Sequence, residues 1–164
     1  MVPYFSYGSN MNQASMDRFC DRTGRPRIDL QSRSPRIGRV PDYRLDFNYY
    51  SKIMQGGAAN LEPSPGDCVE GILFDMSEED MTTIDEKEKA PSYFHRTLVN
   101  VVLSGGMEVS GVVSYVACDD KKAPFSPPTR EYKETILEGA KAFGLSGEWI
   151  RKLESLPVQI EKRP

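Results

Sequence analysis

Two stretches of β-prone residues, Tyr93 to Leu103 and Met107 to Cys118, flank Ser104-Gly105-Gly106. A short glycine-bearing connection between such runs signals a hairpin, so the chain must build at least part of an antiparallel sheet. Other segments read as strands or helices without regular alternation. Val2 to Tyr7 is aromatic and β-prone, and Gly8-Ser9-Asn10 supplies a turn and N-cap for a helix over roughly Met11 to Cys20. Residues 21–35 read mostly as loop, with Ile28 and Leu30 in a short strand, before Arg36 to Tyr49 resumes an extended pattern. Gly56-Gly57 reads as a bend, Ala58 to Leu61 as a short strand, Pro63-Ser64-Pro65-Gly66-Asp67 as a turn, and Val69 to Met76 as a further strand.

Helix signals are confined to a few places. Ser77 can cap a helix whose first turn carries Glu78, Glu79 and Asp80, negative charge where the dipole favours it, and that helix should reach about Glu88. Thr129 caps another helix reaching about Phe143, stopped by Gly144, and a last short one spans roughly Gly147 to Leu156. The expected architecture is α+β: a single domain with a mixed, curved or barrel-like β-sheet flanked by a few helices. With 164 residues in all, one domain over 1–156 is expected, followed by a tail at 157–164 whose Glu161-Lys162-Arg163 should be solvated.

Composition removes several classes of function. The 21 Lys and Arg against 24 Asp and Glu give a net charge of -3, so nothing draws the chain to a phosphate backbone and nucleic acid is not an expected partner. Apolar runs such as Ile72-Leu73-Phe74 fall far short of the ~18 residues of a bilayer span, and the opening Met1-Val2-Pro3-Tyr4-Phe5-Ser6 lacks the form of a secretory signal. A cytoplasmic protein without a membrane partner is expected. Three scattered cysteines, Cys20, Cys68 and Cys118, suit reduced thiols, with Cys68 and Cys118 as small core residues. One histidine, His95, excludes a His-rich metal centre and reads as surface or structural, so no metal is expected.

Two places could carry chemistry. In Tyr7-Gly8-Ser9-Asn10, successive backbone N–H groups at a strand-to-helix turn can hold an anion such as a carboxylate, and Gly8 would let a ligand approach the main chain; the same residues also read as a simple capped turn. Neither GxGxxG nor GxxxxGK[ST] occurs. The second place is Glu88. At 100° per residue Met81, Ile84 and Glu88 share a stripe while Glu86 points away, so one carboxylate should face inward with a raised pKa, as a general acid/base requires. If the helix has already ended at Lys87, Glu88 is one more charge in the run Asp85-Glu86-Lys87-Glu88-Lys89.

With Tyr4-Phe5-Ser6-Tyr7-Gly8-Ser9-Asn10-Met11 and Ile84-Asp85-Glu86-Lys87-Glu88 both in view, the chain resembles the γ-glutamylcyclotransferases. The likeness continues through Gly56-Gly57-Ala58, Ser64-Pro65-Gly66-Asp67, Ser114-Tyr115, Pro127-Pro128, Tyr132 and Gly139-Ala140-Lys141, with Met11 replacing a usual leucine. The resemblance implies release of 5-oxoproline from γ-glutamyl amino acids or short γ-glutamyl peptides, without cofactor, by attack of the substrate's α-amino group on its own γ-carbonyl. It implies Glu88 as acid/base and substrate contacts from Tyr4, Phe5, Ser6, Tyr7, Gly8, Ser9, Asn10, Tyr115 and Tyr132, with the Tyr115 hydroxyl and backbone donors as candidates for oxyanion stabilisation. A γ-glutamyl-amine or γ-glutamyl-protected substrate, or a non-catalytic small-anion module, remains an alternative. The leaving group should meet loops near residues 48–56 and 119–128. The expected partner is a small γ-glutamyl substrate, with a homodimer left open.

Overall fold

A computed structural model describes residues 1–160. Five strands, β1 (Val2–Ser6), β2 (Arg36–Ser51), β3 (Gly56–Met76), β4 (Phe94–Leu103) and β5 (Glu108–Ala117), close into a barrel in the order β1-β3-β2-β4-β5. All neighbours are antiparallel except β1 and β5, which meet in parallel at Tyr4 and Val113. The mixed, barrel-like sheet expected from the sequence is therefore present, and four helices flank it: α1 (Gln13–Thr23), α2 (Glu78–Lys87), α3 (Arg130–Ala142) and α4 (Gly147–Glu154). Closure satisfies the strand edges internally and gathers one core, centred on Phe5, Leu73, Phe74, Met76, Met81 and Val101, all fully buried. No helix among the described residues is long and apolar enough to cross a membrane.

The β4–β5 hairpin forms where alternation placed it, with Gly106 in the left-handed region. Elsewhere the structure corrects the reading of the first half. Gly56-Gly57 is not a bend but the beginning of β3, and the segments 58–61 and 69–76 are one strand. Between them Pro63 pairs with Tyr43 and Cys68 with Pro41, so residues 64–67 bulge out opposite Asp42. The turn chemistry is real but serves a bulge: Gly66 has φ 86°, and its N–H donates to the Asp42 carboxylate at 3.0 Å. Cys68, at the foot of that bulge, is exposed and Cys118 is only half-buried, whereas Cys20 is the core thiol. Ile28 and Leu30 are buried without forming a strand; Leu30 begins a short 3-10 turn.

Helix boundaries follow their caps. α1 begins two residues later than expected because Asn12 provides the cap, its side chain accepting from the Ser15 N–H, while Ser9–Met11 forms a separate 3-10 turn. α2 starts at Ser77 as a complete capping box with Asp80, α3 is capped by Thr129, and α4 by Ser146. α3 lies directly on the Ser9–Met11 turn. A Cβ at Gly139 would stand 2.7 Å from the Met11 carbonyl, so only glycine allows this approach. Past α4, Gln159 hydrogen-bonds to the Ser126–Pro128 segment. The expected solvation of Glu161, Lys162 and Arg163 lies outside the described residues.

Candidate active site

Strand alternation decides which residues of β1 reach the site. Tyr4 and Ser6 face a cavity of about 360 Å³, a size suited to a small ligand, while Phe5 faces the other way and packs on Gly71 in the core. Phe5 was expected to touch substrate, but the period of two removes its side chain from the site. Beyond the strand, Tyr7, Gly8, Ser9 and Asn10 continue the cavity wall. The N–H groups of Gly8, Ser9 and Asn10 donate to no protein acceptor among the described residues, whereas those of Met11 and Asn12 bond back to the Gly8 and Ser9 carbonyls. A Cβ added at Gly8 would lie 3.6 Å from Ala59 and 3.8 Å from the Tyr132 hydroxyl, inside the space a ligand would use. The buried Ser6 hydroxyl, which also lines the cavity, has no partner within hydrogen-bond distance among the described residues.

Glu88 reaches the same cavity from the end of α2. Met81 and Ile84 are fully buried and Glu86 is exposed, as the helical stripe predicts. The last helical residue is Lys87, yet Glu88 keeps helical dihedrals (φ -84°, ψ -2°) and its N–H bonds to the Ile84 carbonyl, so the stripe extends one residue past the helix. Its Oε1 accepts from Asn10 Nδ2 at 2.8 Å. The second hydrogen of that amide goes to the Tyr4 hydroxyl at 2.9 Å, and Asn10 Oδ1 accepts from Lys87 Nζ at 2.7 Å. Burial pushes the Glu88 carboxyl above its usual range, against the opposing pull of the Lys87 ammonium and the Asn10 hydrogen bond. Burial also pulls the Lys87 ammonium down, only partly countered by Glu88.

Two tyrosines anticipated for the site take different parts. Tyr115 lines the cavity with its ring, edge-on to Tyr4, but its hydroxyl donates to Asp85, a carboxylate that Arg96 also clamps through two nitrogens. Its proton is therefore committed, and the Tyr115 hydroxyl is not a donor for an oxyanion. The Tyr132 hydroxyl accepts from the Ala59 N–H at 3.2 Å and lies at the cavity wall with the Ser9 side chain as its polar neighbour, and no carboxylate or carbonyl among the described residues claims its proton. Burial holds the Tyr132 phenol above its ordinary pKa and thus protonated near neutrality.

Of the two loops expected around a leaving group, the first contributes Tyr49, Ser51, Ile53 and Met54 to the cavity. The segment 119–128 does not line it. Instead it straps the outside of the barrel, its Ala123 and Ser126 N–H groups bonding to the Asn48 and Phe47 carbonyls. His95 is exposed and away from the cavity, as expected. The sequence reading missed Lys87, hidden in a charged run, and also Arg18 and Arg22, which α1 brings to the cavity wall. A signal for the arginines was their spacing of four, which puts both on one helical face.

A family model described as AIG2-like matches residues 68–153. Human gamma-glutamylcyclotransferase is 33% identical over 161 residues, covering 93% of this chain and 77% of the relative, and the mouse protein of that name is 32% identical over the same coverage. A solved structure of a gamma-glutamyl cyclotransferase matches with a TM-score of 0.80 at 27% identity, covering 99% of this chain and 92% of the other. A closed five-stranded barrel whose first strand opens onto an acid-bearing cavity, together with these matches, defines the chain as a member of the AIG2-like family. Within that family it belongs with the γ-glutamylcyclotransferases, and like them it is an enzyme.

Proposed function

We propose that this enzyme releases 5-oxoproline from γ-glutamyl amino acids or short γ-glutamyl peptides, by attack of the substrate's own α-amino nitrogen on its γ-carbonyl carbon. The observation that carries the reading is the Glu88 carboxylate, raised in pKa by burial and lining the same cavity as Gly8, Ser9 and Asn10, whose N–H groups have no protein acceptor among the described residues. Those N–H groups suit the substrate's α-carboxylate, which brings the adjacent ammonium toward Glu88. Glu88 takes a proton from the ammonium; the freed nitrogen forms the C–N bond of the five-membered ring; Glu88 passes that proton to the departing nitrogen as the old amide C–N bond breaks; and the second proton, shed by the ring nitrogen as it becomes an amide, follows by the same carboxylate, so that the amine leaves as an ammonium. Atoms and charge balance without a cofactor. No serine or cysteine nucleophile is needed because nucleophile and electrophile share one molecule, a situation in which effective molarity can reach ~10⁵ to 10⁸ M. The Tyr132 hydroxyl, its proton claimed by no carboxylate or carbonyl among the described residues, is the side chain best suited to the developing oxyanion.

Arg18 and Arg22 favour a leaving group that carries a carboxylate. Both line the cavity and neither forms an ion pair among the described residues, whereas Glu86, the other acid at the wall, is paired with Arg25. A γ-glutamyl amino acid presents its second carboxylate to these cations; a simple γ-glutamyl amine presents none. The test is 5-oxoproline release from a panel of both kinds of compound, with Glu88→Gln alongside. Turnover of the amino-acid amides by the wild type, lost in the Gln variant, is expected. A wild type inert toward the whole panel, or a Gln variant as fast as the wild type, overturns the reading.

A further inference from the structure

We infer that Lys87 is a positioning residue for Glu88, acting through Asn10 by fixing which way its side-chain amide points. This inference rests on the acid/base role proposed for Glu88. An ammonium can only donate, so the atom that receives Lys87 Nζ at 2.7 Å must be Oδ1 of Asn10. With Oδ1 so engaged, the NH₂ group is turned toward the cavity, where its two hydrogens meet the Tyr4 hydroxyl at 2.9 Å and Glu88 Oε1 at 2.8 Å. If the amide flipped, it would set its oxygen against a carboxylate, a repulsive pairing in a site shielded from water. One cation thus selects the orientation that holds the base beside the Gly8 turn. Lys87 is placed to do this by neighbouring Glu88 in the chain at the end of α2, where the side chain wraps back under the Ser9–Met11 turn. Its Nζ also lies 3.4 Å from Ser9 Oγ.

The same ammonium stabilises the ionised form of Glu88, which burial otherwise disfavours. The other ionisable groups facing this pair are Tyr4 from β1, Tyr7 beyond it, Tyr49 from β2, Tyr132 from α3, and Cys20, Arg18 and Arg22 from α1. Burial displaces all four phenols and the Cys20 thiol upward, so they stay neutral while Glu88 titrates. The arginines carry a constant charge. The acidic limb of the kcat/KM profile therefore reports on Glu88 and on whether Lys87 is charged beside it.

The experiment compares wild type, Lys87→Met, Lys87→Arg, Asn10→Ala and the Lys87→Met/Asn10→Ala double variant for 5-oxoproline release from a γ-glutamyl amino acid across pH, with Glu88→Gln as reference. Lys87→Met is expected to lower kcat about ten- to a hundredfold, the scale of a misplaced catalytic group, with little change in KM. Its acidic limb should move to higher pH, and Lys87→Arg should restore the limb and part of the rate. The double variant should lose little more than Asn10→Ala alone, because both substitutions break one relay. Wild-type kcat and an unmoved limb in Lys87→Met, or additive losses in the double variant, would overturn the inference while leaving the proposed reaction intact. If Lys87→Met does not fold, Lys87→Gln supplies the same readouts. Failure of both neutral variants to fold beside a folded Lys87→Arg would make Lys87 a structural cation and overturn the inference too. A wild type that releases no 5-oxoproline removes the reaction itself, a result separate from any of these.

Discussion

The two ends of α2 each carry a carboxylate largely withdrawn from water, and the protein treats them in opposite ways. At the start, burial pushes Asp80 toward its neutral form, but hydrogen bonds from Arg33 and from Ser77 more than offset it, and the carboxyl is held below its usual range. At the finish, burial prevails over Lys87 and Asn10, and Glu88 is pushed up. Little more than two helical turns, at ~3.6 residues each, separate a group that anchors from a group that works. The difference lies in the partners: a bidentate guanidinium plus a backbone N–H for Asp80, against one amide hydrogen and a cation held one residue away for Glu88.

Exchanging Glu88 for Gln gives the largest contrast. It should reduce kcat by about 10² to 10⁴, the range that general acid/base catalysis supplies. Stability should not fall. A carboxyl whose folded pKa is raised contributes stability below its unfolded value near ~4.3 and loses it as pH rises through the folded value, so at neutral pH the charged Glu88 burdens the fold. The Gln variant should therefore melt at the same temperature as wild type or higher at pH 7; a lower melting temperature would make Glu88 an anchor like Asp80. Asp80→Asn should do the reverse, destabilising by about 2 kcal/mol, between the values for exposed and buried ion pairs, while the folded fraction keeps its turnover. Loss of activity without loss of stability would erase the distinction between the ends. Ser77→Ala removes only the cap and should cost about 1 kcal/mol in urea unfolding. The Asp80 contribution is present above an unfolded pKa of about 3.9 and disappears as pH falls through the depressed folded value, so the stability gap between wild type and Asp80→Asn should close in acid, as a pH series of melts would read.

The start of α2 was legible because its signal is local: Ser77 and Asp80 cap each other within four residues. Glu88 was half legible. Periodicity placed it on the buried stripe, but whether helical geometry persisted beyond Lys87 depends on a hydrogen bond to Ile84 that no composition reveals. Lys87 was illegible, since a lysine between two glutamates reads as solvated until the first turn of the chain folds over it. Phe5 had a readable answer in strand alternation, which a motif taken as a block obscures. The misplacement of 119–128 has a different origin. That segment hydrogen-bonds to β2 and β3, and Gly57 makes room for it: a Cβ there would lie 1.9 Å from the Ser126 carbonyl. Such contacts join residues far apart in the chain and leave no periodic trace.

The fit of Gly139 against Met11 has a consequence for variation in this enzyme. The tolerance there is one hydrogen atom wide, and a methyl group would act as a wedge between α3 and the turn beneath it. Tyr132 rides on one of those bodies and the Gly8–Asn10 amides on the other, so the wedge would spread the jaws that must close on a folded substrate. An alanine at 139 would then behave as a defect in substrate grip, although the residue itself never meets a ligand.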